Sequence, residues 1–178
     1  MNKMVLLSFV VFVCLSSAKS STVNLSSGLV GDYQFSGNSQ DSSGNNNHGT
    51  VFSASLTTDR FGNTASAYSF NGIDSYISLG NQAAFNFGSG SFSISTWVKL
   101  NSAQNDMYFV SKYSGGGPGY GVGLGWNSSG YAFVGTVGGG PLEVRTTLID
   151  LYDNLWHHVV FVHEASIVTG KQIGRAHV

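Results

Sequence analysis

Phe92-Ser93-Ile94-Ser95-Thr96-Trp97-Val98-Lys99-Leu100 alternates almost without fault. Phe92, Ile94, Val98 and Leu100 fall on one row, with Thr96 its only polar member. Ser93, Ser95, Trp97 and Lys99 fall on the other. Successive side chains leave a strand on opposite faces, so this pattern predicts a half-buried β-strand. Helical spacing would scatter the serines through the apolar face. The stretch is expected to be a central strand of an antiparallel sheet.

Working outward, similar short runs recur on both sides. Leu29 to Phe35, Thr50 to Ser53, Ser66 to Asn71 and Ser75 to Leu79 precede it. Met107 to Tyr113, Tyr120 to Trp126, Tyr131 to Val137, Leu142 to Leu148 and Trp156 to His163 follow. Clusters of Gly, Asn, Asp and Ser separate them, the residues that make turns or tolerate left-handed backbone. Asn71-Gly72 predicts a tight hairpin between its neighbours. Phe85 and Phe87 are expected to plug the core from the loop 81–90. No helix can be drawn between these runs. About ten short strands at regular spacing predict an all-β fold, a two-sheet antiparallel jelly-roll sandwich.

Composition agrees. Among 178 residues 24 are Gly and 13% are aromatic, a mix suited to strands joined by tight turns. Charged residues are only 10% and the net charge is −1, which argues against a nucleic-acid partner. Residues 1–18 read as a signal peptide. Lys3 supplies the positive start, Met4 to Leu15 is apolar except for Ser8, and Ser16-Ser17-Ala18 offers small residues for cleavage before Lys19. The run is too short for a permanent membrane span. Cys14, the one cysteine, lies inside it, so the exported protein must hold together without disulfides. Residues 19–27 read as a polar lead-in. A secreted, extracellular or cell-surface location follows, in which the sequons at Asn24 and Asn127 would matter in a eukaryotic host.

Five elements carry a family likeness. They are Leu29-Val30-Gly31-Asp32-Tyr33-Gln34-Phe35, the Asp41 to Gly49 loop, Tyr68-Ser69-Phe70-Asn71-Gly72, Ser91 to Val98, and Trp156-His157-His158-Val159. In this order, over residues 28 to 164, the chain resembles the laminin-G-like branch of the concanavalin A-like jelly rolls. The resemblance implies a lectin-like scaffold, commonly one module of a larger extracellular protein, that binds glycans or protein partners and in some members holds Ca²⁺ at the sheet rim. It places the domain at 28–172. The family pattern continues past the Thr169-Gly170-Lys171 turn into further strands. Here Ile173 to Val178 instead resembles one reading frame of a sequencing adapter, so 173–178 is expected to be a non-native tail on a truncated gene. An ordinary polar tail is the alternative.

The superfamily includes glycoside hydrolases, which need two carboxylates across a sugar. The Glu-x-Asp-x-x-Glu arrangement of the laminarinase-type enzymes is absent, and the only glutamates are Glu143 and Glu164. The aspartates sit mostly in turns, so no catalytic residue is expected. Adjacent strand histidines face opposite ways, so His157 and His158 are expected to be structural, with His48 a loop residue. Ca²⁺ takes about six to eight oxygens. Asp41, Asn45 and Asn47 in the first polar loop, with Asp74 in a second turn, are the candidate ligands. Turn-forming side chains are the competing reading. For a sugar, Tyr120, Trp126, Asn127 and Tyr131 surround one hairpin beside the bare Gly121/Gly123/Gly125 face, which could admit a ligand or the opposite sheet. Trp97 and Trp156 are expected in the core. The function expected is a non-catalytic carbohydrate-binding or adhesion module. The alternatives are a glycoside hydrolase fragment whose catalytic domain is missing and a spacer without ligand.

Overall fold

The computed structural model describes residues 5–13, 26–88, 90–102, 107–112, 119–127, 130–138, 143–145, 151–165 and 173–177. The strands are β1 (Val5–Val13), β2 (Leu29–Tyr33), β3 (Thr50–Phe52), β4 (Ser55–Thr57), β5 (Ala67–Phe70), β6 (Tyr76–Ser78) and β7 (Phe92–Leu100). They continue as β8 (Met107–Lys112), β9 (Tyr120–Asn127), β10 (Gly130–Val137), β11 (Glu143–Arg145), β12 (Trp156–Glu164) and β13 (Ile173–His177). A single 3₁₀ turn, Ala83–Phe85, is the one helical element among the described residues.

Period-two alternation does what it predicts. Along β7 the row Phe92, Ile94, Thr96, Val98, Leu100 is buried and the row Ser93, Ser95, Trp97, Lys99 is half-buried. β7 lies between β12 and β1 in a seven-stranded antiparallel sheet of order β13-β12-β7-β1-β5-β4, with β2 also paired to β1. A four-stranded sheet, β11-β10-β9-β8, supplies the second layer, and β3 with β6 makes a separate two-stranded ribbon.

One continuous apolar core joins the layers. Phe92, Ile94, Val98, Val159 and Phe161 from the large sheet meet Tyr120, Val122, Leu124, Phe133 and Val137 from the small one. Each such side chain contributes about 1.5–3 kcal/mol on burial. Phe85 is buried, and Phe87 stacks on Phe92 with centroids 4.5 Å apart, so the 81–90 loop does plug the core. Glycines set the spacing. A Cβ at Gly135 would overlap the Phe161 ring, and one at Gly123 would lie 2.8 Å from the Cα of Tyr108 in β8. Gly123, one of the three bare positions, therefore admits the neighbouring strand.

Three expectations change, and one strand is added. The Asn71-Gly72 turn is not a hairpin, because β5 pairs with β1 and β4 while β6 pairs with β3. Asn71 Oδ1 accepts the N–H groups of Ile73, Asp74 and Ser75, which turns the chain from one sheet into the other. Trp97 faces outward, half-buried, on the row opposite the core. Trp156 is likewise only half-buried, at the start of β12. β4 was not foreseen, since Ser55-Leu56-Thr57 is too short to show a period.

The apolar run of the expected leader is strand β1. Val5 to Val13 pairs with β7 on one side and with β2 and β5 on the other. An export leader and an inner strand make the same demand, an unbroken apolar run, so either reading suits these residues. Ile173–His177 adds to the free edge of β12 as β13. An edge position asks chiefly for backbone groups, so it accepts that segment whatever its origin. The expected cleavage point, Asn24, and the Val168 to Lys171 turn lie outside the described residues.

Candidate functional site

The Asp41 loop is built around one carboxylate. Asp41 Oδ1 accepts the N–H groups of Asp32 (2.9 Å) and Ser43 (2.9 Å), and Oδ2 accepts that of Asn47 (3.0 Å). Burial alone would raise its pKa, but the hydrogen bonds from Asp32, Ser43 and Asn47 outweigh it and hold the carboxyl below its ordinary range. Asn45 Nδ2 donates to the Leu29 carbonyl (2.7 Å), and Asn47 Nδ2 to that of Val30 (2.9 Å). The Tyr33 hydroxyl donates to the Asn47 carbonyl, and His48 Nδ1 accepts the Asp41 N–H. These side chains tie the loop to β2.

The four residues expected to hold calcium do not fit one ion. Asp41 spends its oxygens on N–H donors, and Asn45 and Asn47 present their NH₂ groups to carbonyls. Asp74 belongs to the other turn, where Oδ1 accepts from Asn71 Nδ2 (2.7 Å) and Oδ2 from Ser53 Oγ (3.1 Å). Among the described residues no three His, Cys, Asp or Glu side chains are grouped as metal ligands.

The β9–β10 hairpin is also dispersed. Tyr120 is a core residue, its ring tilted against Phe92 and Phe87, and burial pushes its hydroxyl pKa up. It has no face to offer a ligand. Trp126 pairs with Tyr131 in the backbone register, but the side chains of Trp126 and Asn127 lie outside the described residues. Tyr131 is half-buried, edge-on to the exposed Tyr152 at 6.0 Å.

The structure gathers a different aromatic site on the β3–β6 ribbon. Val51 and Ile77 are register partners packed against the core, so their neighbours Phe52 and Tyr76 must point out. Phe52 and Tyr76 are 42% and 52% exposed and stack on each other, centroids 4.7 Å apart at 15°. Ser53 follows Phe52 directly, and its hydroxyl reaches Asp74, which brings the 71–75 turn beside the ring pair. Hydrogen bonds from Asn71 and Ser53 keep the exposed Asp74 carboxyl below its ordinary pKa, hence ionised. Ile73, 79% exposed, stands at the tip of that turn. Two apolar ring surfaces thus lie next to a carboxylate, an amide and a hydroxyl.

The family model of the laminin-G type described as the concanavalin A-like lectin/glucanases superfamily matches residues 70–172, more than half of the 178-residue chain. The chain belongs to this superfamily. Searches of curated proteins and of solved structures returned no match. The matched stretch of this lectin-like module holds β7, the Trp156-His157-His158-Val159 run and the Asp74 side of the ribbon. The Asp41 loop and Phe52 lie before it.

Asp32 and Asp41, before the matched stretch, are electrostatic neighbours, and their pKa values move apart. Burial, then the Asp41 charge, raises that of Asp32, against a Gln34 hydrogen bond that lowers it. Two carboxylates pushed in opposite directions can mark an acid and a base. Here both oxygens of Asp41 already take main-chain hydrogens, which leaves that carboxylate committed to the loop. Phe52 and Tyr76 were not singled out from the sequence. The available signal was the apolar partner row: once Val51 and Ile77 face the core, each aromatic beside them is solvent-facing.

Proposed function

We propose that this lectin-like module is a secreted, non-catalytic carbohydrate-recognition or adhesion unit of a larger extracellular protein, and that it takes its glycan on the Phe52–Tyr76 rim. The exposed, stacked ring pair carries this reading. The C–H face of a pyranose lies well on an aromatic ring, where it sheds water without losing a hydrogen bond. Its hydroxyls need polar partners nearby, and the ionised Asp74 carboxylate, exposed where Asp41 is buried, keeps further lone pairs for them while it holds Asn71 and Ser53. Rings held on a paired strand ribbon lose little freedom on binding. Secretion is supported by the charged start, apolar run and small residues of 1–18.

A glycan array with the folded chain and a Phe52→Ala/Tyr76→Ala variant tests it. The wild type is expected to retain one class of glycan, and the variant to bind it at least about tenfold more weakly, while its thermal midpoint moves little because both rings are on the surface. Equal binding by the variant would overturn the site. A folded chain that retains no glycan would overturn the function and leave the spacer.

A further inference from the structure

We propose that the outward face of the seven-stranded sheet is a second binding site, built from Arg60, Phe61, Trp97 and His158, for an anionic sugar: a pyranose bearing a carboxylate or a sulfate. It rests on the glycan-recognition reading for the sugar and adds the charge.

A rigid turn presents Arg60 and Phe61. Asp59 Oδ1 accepts the N–H groups of Phe61 (2.8 Å) and Asn63 (2.9 Å), and Oδ2 accepts Asn63 Nδ2 (3.0 Å). Gly62, at φ +89°, closes the turn in a conformation that favours glycine. The turn folds over the outward row of β7. There the Arg60 guanidinium lies between two rings, 3.9 Å from the Phe61 centroid and 4.3 Å from that of Trp97. Trp97 in turn stacks on its register partner His158, centroids 5.0 Å apart at 18°, and His158 Nε2 meets Ser95 Oγ at 2.8 Å.

The two ring contacts hold the guanidinium in place but use none of its N–H groups. No acceptor for them is found among the described residues, and the adjacent Asp59 has both oxygens engaged in its own turn. A guanidinium so held offers in-plane donor pairs that match a carboxylate or sulfate. Lys99, two residues along the same row from Trp97, adds positive charge. Phe61, 70% exposed, provides the apolar surface for the ring of a bound sugar. Cationic donors bordered by an exposed ring select an acidic sugar over a neutral one.

The test titrates the folded full chain by calorimetry with galacturonate oligosaccharides, sulfated galactan oligosaccharides and a neutral galactan oligosaccharide, with sodium acetate and sodium sulfate as bare-anion arms. One or both acidic oligosaccharides are expected to bind, more weakly as salt is added. Arg60→Gln should lose at least about tenfold, and Arg60→Lys, which keeps the charge but neither the planar group nor the fork, several-fold. The Phe52→Ala/Tyr76→Ala variant should bind acidic oligosaccharides as the wild type does, so failure of the rim and failure of this face are told apart. If Arg60→Gln does not fold, Arg60→Lys decides. Equal affinity for neutral and acidic oligosaccharides, unchanged binding by the folded Arg60 variants, or displacement by bare acetate or sulfate at the same concentration as the acidic sugar would each overturn the proposal.

Discussion

Asp41 shows how one side chain can organise a loop. Its carboxylate collects the N–H groups of Asp32, Ser43 and Asn47, groups that would otherwise be paired poorly in a partly buried turn. Hydrogen bonds to a charged acceptor contribute about 1.5–3 kcal/mol each in favourable cases, and their sum is less than additive. Asp41→Asn keeps the shape but replaces one acceptor oxygen by a donor. Its expected cost is about 2–3 kcal/mol in urea unfolding, the same with calcium or with a chelator. A loss that appears only when calcium is present would restore the metal. Because the folded pKa is depressed, the Asp41 contribution is complete above its ordinary value of 3.8 and disappears as pH falls through the lower folded value.

His163 titrates with the same sign for a different reason. It is buried against Phe92, centroids 5.4 Å apart, and Nε2 has no hydrogen-bond partner among the described residues. Burial lowers its pKa from 6.5, so the folded protein keeps it neutral while the unfolded chain takes a proton. Stability from this residue is therefore present above pH 6.5 and falls as pH drops from there toward the folded value. His158 shifts in the same direction, through burial and the Arg60 charge, but is more exposed. Unfolding midpoints between pH 7.5 and about 5 should fall in the wild type and fall less in His163→Leu. Parallel pH profiles would contradict this.

At the scale of elements, legibility followed length. β7 shows nine residues of alternation, and its limits in the structure are those of the pattern. β12 is equally plain because Val159 to Val162 put apolar side chains on both rows. The Asn71-Gly72 turn was misread because a dipeptide states that the chain reverses, not which strand it next pairs with. That choice belongs to Asn71 Oδ1 and to the β3 partner, which are tertiary facts. The strand setting of Trp97 suggests the core, against its own row, and the structure follows the row.

β1 carries the sharpest consequence at this scale. With β1 in place, β7 has a partner on each side. Export with removal of residues 1–18 would open the β7 edge from Ser93 to Leu100, together with the facing edges of β2 and β5. A chain starting at Lys19 should therefore show amide exchange in β7 at least about tenfold faster than the full-length chain. Unchanged protection would mean that β1 pairing contributes little to the sheet.

For the whole molecule, two-layer packing was readable because the sheets use the same alternating rule throughout, and a disulfide-free core must then be filled by rings such as Phe92, Phe133 and Phe161. The site was much less readable. Aromatic richness says that rings exist but not which of them the fold leaves outside. Tyr120 and Phe52 are both strand aromatics, yet Tyr120 faces the opposite sheet and Phe52 faces solvent. Only the pairing of Val51 with Ile77 separates the two outcomes.

The account stands most directly on where a bound glycan touches the protein. The measurement is an NMR titration of the isotope-labelled chain with the glycan retained on the array. Amide shifts concentrated at 52–53 and 71–76, and absent in the Phe52→Ala/Tyr76→Ala variant, are the expected result. Shifts centred on Tyr131 and Tyr152, with the 52–53 and 71–76 amides unmoved, would contradict it.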